Sequence, residues 1–352
     1  MKNQKFKRKF VGNHMGASIE LYTLRNSNEL EVQIFNYGGR MNAIKVPSSR
    51  DKGKPIDIIL GYPSIDGYLE DNNYMNALIG RVSNRIGPAQ FKLNGHDYSL
   101  SVNEGENHLH GGFVGFESKI WKLVGHEENS DFVNLTLGLK SKNFEEGYPG
   151  ELEIKVTYIL DNYNNLTLEM KASSDRDTIL SMTNHNYWNL NGHGQDYGDV
   201  SNHILRIPSR LVCETMTGNL PTGHLKDISA TAFDFIHARE LSKEIVQGEG
   251  IDLNYCFGNR RNVELAAEAY SPATGIGVTI SSDLPGIQCY TGGGMSNQYM
   301  GKSGRTYGRG FGLCLEPQFY PNAIHQPHFP SPILKAGQPY AKIIRMDFRN
   351  DY

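Results

Sequence analysis

Apolar and polar residues alternate with a period of two in several segments of this chain. The clearest segments are residues 30–34, 133–137, 152–158 and 166–170. Because successive side chains of a β-strand point to opposite faces, each segment predicts a strand with one face on a core and the other face wetter. Turn signals such as Asn94-Gly95 and Asp161-Asn162 separate these segments, which favours antiparallel strands with short connections.

Helical periodicity is scarce by comparison. Residues 238–246 are the best short candidate for a helix, and Ile65–Leu69 predicts a single turn. A chain of 352 residues can bury a large core, and no internal repeat or low-complexity linker divides it. We therefore predict an all-β fold, a large antiparallel β-sandwich with few short helices, spanning residues 1–352 as a single domain.

The charge balance bounds the partners of this chain. Its 35 basic and 38 acidic side chains give a net charge of −3, so nothing indicates a nucleic-acid or membrane surface, where a concentrated basic patch would be expected. No stretch is long and apolar enough to span a bilayer, and the basic N-terminal residues are not followed by the apolar region of a signal peptide. The four cysteines lack C-x-x-C spacing, which favours free thiols and a cytoplasmic location: they are Cys213, Cys256, Cys289 and Cys314.

Residues 183–190 (TNHNYWNL) combine three asparagines, one histidine and two large aromatic residues. Aromatic faces, amides and an imidazole side by side suit a pocket for a small polar ligand with an apolar face, such as a sugar. His185 is also the side chain best able to exchange a proton near neutral pH. A partly buried turn, in which the asparagines cap backbone groups, explains the stretch equally well.

The motif Asn107-His108-Leu109-His110-Gly111-Gly112 is a second signal. On a regular strand His108 and His110 point to the same face, as in metal-binding β-barrels. A metal would need further ligands, for which His185 and Glu316 are available, but H-x-H alone is weak. The pattern favours a sugar-binding or catalytic imidazole over a metal ligand, with a hydrogen-bonded core histidine as the alternative.

Two arginines flank a short apolar strand in residues 80–87 (GRVSNRIG). Arg81 and Arg85 are four residues apart, so a regular strand places them on one face. An arginine can fix sugar hydroxyls or orient a carboxylate through its planar fork. A structural role for one or both of them is the alternative.

A buried carboxylate is predicted in residues 311–318 (FGLCLEPQ). As a strand, this segment puts Gly312, Cys314 and Glu316 on one face, and a glutamate there is costly unless it is paired or functional. By the same parity Gln288 shares a face with Tyr290. Asp252 adds a carboxylate near an aromatic residue, a weak signal because aspartate is common in turns.

Several familiar sites are missing from the sequence. The glycines at 292–294 do not follow the dinucleotide-binding fingerprint, and Gly301-Lys302-Ser303 lacks the first glycine of a phosphate-binding loop. No serine occupies a G-x-S-x-G elbow, so nothing favours nucleophilic hydrolysis.

Taken together, the motifs resemble the aldose 1-epimerase (galactose mutarotase) family. The resemblance runs from Asn36-Tyr37-Gly38-Gly39 to Gln326-Pro327. It includes residues 57–62, 84–86, 107–112, 146–150, 183–190, 250–255, 285–288 and 315–316. So many ordered matches are far more specific than any single motif above.

The resemblance implies a β-supersandwich fold and a cofactor-free, metal-free interconversion of the α and β anomers of free aldohexoses such as galactose or glucose. By position, Glu316 matches the family's general base and His185 its general acid. Five further residues match the family positions that hold the sugar's hydroxyls and ring oxygen: Asn84, Arg85, His110, Asp252 and Gln288. Tyr187 and Trp188 then become supports or a platform for the sugar, and either could face it.

The implied chemistry needs one proton removed from the C1 hydroxyl and one delivered to the ring oxygen. A carboxylate and an imidazole can supply both transfers and exchange roles on the return. They must carry opposite protonation states at one pH, and we expect modest pKa shifts to be sufficient.

Three positions depart from the family pattern. Leu253 replaces a common histidine, Pro317 a common threonine or serine, and Asn186 a common serine. None of them is a proton-transfer group, so we expect the reaction to be retained and the preferred sugar to be affected. The expected partner is a monosaccharide bound by a monomer or homodimer. The alternatives are a mutarotase of hexose 6-phosphates, which would need a cationic cluster at the pocket mouth, and a non-catalytic sugar-binding module.

Overall fold

The computed structural model describes residues 5–50, 53–193, 198–216, 218–295 and 300–351. Strands dominate these ranges, in chain order: β1 (Phe6–His14), β2 (Ala17–Arg25), β3 (Glu31–Phe35), β4 (Met41–Pro47), β5 (Pro55–Asp57), β6 (Leu78–Ile79), β7 (Arg85–Ile86), β8 (Gln90–Leu93), β9 (His96–Ser99), β10 (His108–Leu109), β11 (Lys122–Glu128), β12 (Phe132–Ser141), β13 (Leu152–Asp161), β14 (Asn165–Ser174), β15 (Thr178–Ile179), β16 (Thr183–Asn184), β17 (Tyr187–Trp188), β18 (Ile204–Arg206), β19 (Leu211–Thr215), β20 (Pro221–Asp227), β21 (Arg239–Glu240), β22 (Asp252–Cys256), β23 (Glu264–Tyr270), β24 (Gly277–Ser282), β25 (Gly286–Tyr290), β26 (Leu313–Gln318), β27 (Ile333–Leu334) and β28 (Tyr340–Arg349).

Helices are few and short. The described ranges contain α1 (Ile65–Leu69), α2 (Lys243–Val246) and 3-10 turns at Phe116–Ser118, Glu145–Gly147, Lys302–Gly304 and Ala323–His325. Within the same ranges, no helix has the length and apolar character needed to cross a membrane.

Three large sheets organise the strands. A nine-stranded sheet has the order β11-β12-β13-β14-β28-β24-β23-β18-β21, a six-stranded sheet has the order β17-β26-β25-β22-β19-β20, and β1 to β5 form a five-stranded meander. The ladders within them are antiparallel, as in β13 with β14 and β25 with β26. This confirms the all-β antiparallel fold with few short helices.

Period-two alternation places the core as expected. Along β13 the side chains of Leu152, Ile154, Val156 and Tyr158 are buried, whereas Glu153 and Lys155 between them are exposed. The four predicted strand segments coincide with β3, β12, β13 and β14. The apolar faces of the sheets pack together in one large core cluster. Their burial stabilises the fold by a free energy of roughly 25 cal/mol per Å² of apolar surface.

The helix predicted over 238–246 is wrong in its first half. Arg239–Glu240 forms the edge strand β21, which pairs with Ile204 and Leu205 of β18. Ser242 has a φ of 61°, which a right-handed helix cannot include. Only Lys243–Val246 is therefore helical. The single turn at Ile65–Leu69 is confirmed.

The six-stranded sheet carries two neighbouring rows of polar side chains. Its order β17-β26-β25-β22 brings Tyr187, Cys314, Tyr290 and Asp252 into one cross-strand row. Two residues further along the same face, Glu316 lies opposite Gln288. Residues far apart in sequence therefore meet on one face, because adjacent strands are only about 4.8 Å apart.

Candidate active site

A cavity of about 250 Å³ opens above the polar rows of the six-stranded sheet. Eight of the residues singled out in the sequence line it: Asn84, Arg85, His110, His185, Tyr187, Asp252, Gln288 and Glu316. Strands supply Tyr187, Asp252, Gln288 and Glu316, whereas His185 precedes β17 and is fixed through its backbone. Its N–H donates to the carbonyl of Ala77 (2.9 Å), and its carbonyl accepts from the N–H of Asn76 (3.0 Å).

His185 and Glu316 form the chemical centre of the cavity. The distance between His185 Nε2 and Glu316 Oε1 is 3.7 Å, and the side chains are 6% and 2% exposed. His185 Nδ1 and Glu316 Oε2 have no hydrogen-bond partner among the described residues. Both groups are thus buried side by side, and each retains an atom that can form a hydrogen bond with a polar ligand.

Burial shifts both pKa values strongly. It raises the pKa of Glu316 well above its usual value, and the negative charge of Asp252 raises it further. Burial lowers the pKa of His185 to about 4, against smaller opposing effects of its own backbone and of Asp71. The expectation of modest shifts is therefore wrong, because both groups lose nearly all contact with water. Both shifts favour the uncharged forms, a protonated carboxyl group on Glu316 and a neutral imidazole on His185.

A chain of amides and a carboxylate lines the floor beside Glu316. The amide of Asn84 donates to Gln288 Oε1 (3.1 Å), and the amide of Gln288 donates to Asp252 Oδ1 (2.6 Å). Asn219 donates to the second oxygen of Asp252 at 2.9 Å. This chain fixes which atom of each amide faces the cavity, so the cavity presents a defined set of donors and acceptors.

The two arginines of residues 80–87 have different roles, which corrects the prediction that they share a face. Asn84 adopts a φ of 61°, so the backbone between them is not a regular strand. Arg81 is buried and donates to the carbonyl oxygens of Ser141, Lys142, Pro149 and Gly150, a structural role outside the cavity. Arg85 lines the cavity and makes a bidentate pair with Glu104, both contacts at 2.7 Å.

The two histidines of the H-x-H motif also separate. Strand β10 ends at Leu109, and His110 has a φ of 51°, so the two rings do not share a strand face as predicted. The ring of His108 is buried between the carbonyl of Ser101 and the hydroxyl of Tyr148, each at 2.7 Å. A metal site built on both rings is therefore not assembled, and His108 is the hydrogen-bonded core histidine.

His110 faces the cavity in a defined tautomer. Its Nδ1 accepts from the backbone N–H of Asn84 at 3.1 Å, so Nε2 carries the proton. Burial, followed by the effect of His185, lowers the pKa of His110 well below its usual value. The ring is thus a neutral hydrogen-bond donor.

Known proteins of one family resemble this chain over nearly its whole length. The family model described as aldose 1-epimerase matches residues 20–347. The chain belongs to the aldose 1-epimerase family. A galactose mutarotase from Rattus norvegicus is 34% identical over 327 residues, 92% of each chain. An aldose 1-epimerase from Haemophilus influenzae is 31% identical over 341 residues, 95% of this chain and 97% of that protein.

Solved structures from the aldose 1-epimerase family share the fold. An aldose epimerase homologue from C. elegans has a TM-score of 0.85 at 26% identity, covering 98% of this chain and 100% of that one. A galactose 1-epimerase from Lactobacillus acidophilus has a TM-score of 0.83 at 21% identity, covering 99% of each chain. The predicted fold family and enzyme class, an isomerase that interconverts sugar anomers, are confirmed.

Within this cavity, Tyr187 rather than Trp188 faces the interior. The Tyr187 ring stacks on His185 with centroids 5.0 Å apart and an interplanar angle of 19°. Trp188 points away into the core, where it packs on Phe348. Since neighbouring residues of a strand face opposite sides, only one of the pair could line the cavity.

Sequence reasoning missed one wall of the cavity, formed by Asn72, Asn73 and Tyr74. The Tyr74 ring lies 4.6 Å from the ring of His110 and 6.3 Å from that of His185, measured between centroids. The available signal was the sequence Asn72-Asn73-Tyr74 itself, which repeats the mixture of amides and an aromatic seen in residues 183–190.

A buried ion pair holds this wall in place. Arg40 and Asp71 are 2.7 Å apart, with side chains 1% and 0% exposed. Asp71 also accepts from the backbone N–H groups of Asn73 (3.0 Å) and Met75 (2.7 Å). The loop that carries Tyr74 is thus ordered around one carboxylate.

The three departures from the family pattern do not line the cavity. Leu253 borders a neighbouring cavity of about 660 Å³, Pro317 is paired with Ile287 in the β25–β26 ladder, and Asn186 is buried. The structure thus puts all three behind or beside the residues that face the cavity.

Proposed function

We propose that this cavity interconverts the α and β anomers of a free aldohexose, galactose or glucose, with Glu316 as general base and His185 as general acid. The observation that carries the proposal is the 3.7 Å separation of His185 Nε2 and Glu316 Oε1 within a buried cavity. The C1 hydroxyl oxygen and the ring oxygen of a sugar are bonded to the same carbon. An acid and a base this close can therefore serve both oxygens at once.

The reaction conserves the single proton of the pair. Glu316 takes the proton of the C1 hydroxyl while His185 gives one to the ring oxygen, and the bond between C1 and the ring oxygen breaks to leave the open aldehyde. Rotation about C1–C2 and the reverse transfers close the ring on the other face. Each transfer contributes roughly 10²–10⁴ in rate.

The pKa shifts fit this cycle. Protonated Glu316 beside neutral His185 is the state reached after ring opening, and burial stabilises that state. A bound sugar hydroxyl that donates to Glu316 stabilises the carboxylate instead, which returns the proton to His185 for the next opening.

The remaining residues hold the sugar. His110 offers its Nε2–H, Arg85 and Asn84 offer donors, and Gln288 and Asp252 complete the set. The rings of Tyr74 and Tyr187 supply apolar faces of the kind that pack against the C–H face of a sugar ring. Relatives named galactose mutarotase support galactose as the first substrate to test.

The charges of the cavity disfavour the two alternatives. Arg85 is the cation among its lining residues, and Glu104 already neutralises it. A 6-phosphate would therefore meet little positive charge within the described part of the chain. A non-catalytic binding module would not need a buried acid–base pair, which is costly to keep.

We further propose a cytoplasmic, cofactor-independent enzyme that folds as a single domain and acts as a monomer or homodimer. Four free, buried cysteines support a reducing location. Light scattering after gel filtration measures the oligomeric state directly.

Polarimetry on freshly dissolved α-D-galactose and α-D-glucose tests the activity. Added protein should accelerate the change of rotation over buffer for at least one of them, with L-arabinose and D-xylose as further candidates. If no free aldose responds, the epimerase proposal fails.

A further inference from the structure

A thiol lies beside the acid–base pair. The residues His185, Cys314 and Glu316 are all buried. Each offers one atom that could bind a metal ion, and these three atoms lie within 4.8 Å of one another. The register explains the cluster: Cys314 and Glu316 alternate onto one face of β26, and Cys314 lies opposite Tyr187 of β17, two residues after His185. Neither Glu316 nor His185 needs this thiol for the proposed reaction.

The donor set is that of a zinc site. Imidazole nitrogen, thiolate sulfur and carboxylate oxygen bind Zn²⁺ at about 2.0–2.3 Å in tetrahedral geometry, which places neighbouring ligand atoms roughly 3.3–3.8 Å apart. His185 Nε2 and Glu316 Oε1 already lie 3.7 Å apart. The second oxygen of Glu316, Oε2, has no partner among the described residues, so the carboxylate can turn without losing a hydrogen bond.

The charges balance as well. A divalent cation with one thiolate, one carboxylate and one neutral imidazole has a net charge of zero, which a buried site accommodates best. Two of the three ligands, His185 and Glu316, line the cavity, so water or a sugar hydroxyl in the cavity can reach a cation that they hold.

We propose that His185, Cys314 and Glu316 form a binding site for Zn²⁺ or a similarly thiophilic divalent cation, and that the bound cation blocks the sugar. Binding releases two protons, one from the Cys314 thiol and the one shared by the acid–base pair. The cation then occupies the position of the shared proton, so catalysis stops. The inhibitory consequence rests on the proposed epimerase function, whereas the binding does not.

Titration of the purified protein with Co²⁺ tests the site without any turnover. A thiolate ligand gives Co²⁺ an intense charge-transfer band in the near ultraviolet. We expect this band in the wild type, its loss on adding Zn²⁺, and its suppression by saturating galactose. Absence of the band in the wild-type protein would overturn the proposal, even if the epimerase activity is present.

Two cysteine variants test which thiol binds the cation. Cys314→Ala should abolish the band and weaken inhibition by Zn²⁺ in polarimetry at least tenfold. Cys289→Ala is the matched control: it is equally buried but lies opposite Leu253 and Leu315, on the other face of the sheet. It should keep both the band and the inhibition.

A third variant keeps the test decisive if Cys314→Ala does not fold. Glu316→Gln should bind Co²⁺ at least tenfold more weakly while retaining a residual thiolate band, read by absorbance alone. Equal Zn²⁺ sensitivity of Cys314→Ala and wild type, or unchanged Co²⁺ affinity in Glu316→Gln, contradicts the site. Failure of polarimetry with all sugars would sink the epimerase function but leave the absorbance result to stand by itself.

Discussion

Gln288 lies directly opposite Glu316 in the β25–β26 ladder, and its amide donates to Asp252 at 2.6 Å. One side chain therefore separates the two carboxylates, whose mutual repulsion contributes to the raised pKa of Glu316. Burial raises the pKa of Asp252 and the hydrogen bond from Gln288 opposes that rise, so we expect Gln288 to act on Glu316 through Asp252 as well as to contact the sugar.

Replacing Gln288 by leucine should weaken sugar binding more than it alters the acid–base pair. The change removes the amide that satisfies Asp252, so sugar binding weakens and KM rises, while the Glu316–His185 pair keeps its geometry. We expect KM to increase about tenfold, equivalent to ~1.4 kcal/mol, with a smaller change in kcat. Initial rates from polarimetry at several galactose concentrations measure both. A fall in kcat with constant KM would contradict this role.

Glu316→Gln should remove most activity, by roughly 10²–10⁴ for the lost proton transfer. The protein should remain folded, because the glutamine amide fits the same space. The amide is uncharged at every pH, so its burial does not carry the cost of burying a carboxylate. Polarimetry gives the rate and thermal unfolding the stability. Near-wild-type rates would refute Glu316 as base, and the same holds for His185→Asn as acid.

The stability of the wild type should depend on pH through Glu316. Its pKa in the folded state lies above the ordinary value of 4.5, so the folded protein retains a proton that the unfolded chain releases. The associated stability is present below the unfolded pKa and is lost as the pH rises through the folded pKa. Glu316→Gln should show a flatter pH dependence of its unfolding free energy. Parallel curves for the two proteins would contradict the assignment.

The pH profile of kcat/KM should be broad. The pair carries its single proton between the pKa of His185, about 4, and the strongly raised pKa of Glu316. Activity should therefore fall only near pH 4 on the acid side, after subtraction of buffer catalysis. An acid limb near 6.5, the ordinary histidine value, would show that His185 is not desolvated in the working enzyme.

The buried Arg40–Asp71 pair should contribute far more to the free energy of unfolding than an exposed ion pair does. Asp71→Asn leaves the Arg40 charge without its partner and releases the loop that carries Asn73 and Tyr74. We expect a loss of ~3–5 kcal/mol in unfolding free energy and weaker sugar binding. Chemical denaturation measures the first and polarimetry the second. Glu169→Gln, which breaks the pair with Lys171 on an exposed strand face, is the control and should cost no more than ~1 kcal/mol.

Tyr74 should act through its ring. Tyr74→Ala removes an aromatic face next to His110 and should raise KM by roughly threefold to tenfold, from ~0.5–1.5 kcal/mol. Tyr74→Phe keeps that face and should stay close to the wild type. Equal effects of the two substitutions would point to the hydroxyl group instead.

Features that depend on regular strand geometry were the best predicted from the sequence. Alternation located β12, β13 and β14, and parity correctly placed Cys314 with Glu316 and Gln288 with Tyr290. Prediction failed where the backbone leaves the strand, as at Asn84 and His110, whose positive φ values redirect the side chains next to them. The loop around Asp71 was missed because its order comes from Arg40, thirty-one residues earlier, which no local pattern reveals.

The two polar rows of the six-stranded sheet have a consequence for how this enzyme can change. Its base, Glu316, lies on a ladder whose spacing is set by backbone hydrogen bonds, while the acid His185 and much of the cavity wall lie outside that ladder. Loop substitutions can therefore alter which hydroxyls are accepted without moving the base. New sugar specificities are accessible here through substitutions at Tyr74 and in the loop at His110, with the sheet and the backbone bonds of Asn76 and Ala77 to His185 left untouched.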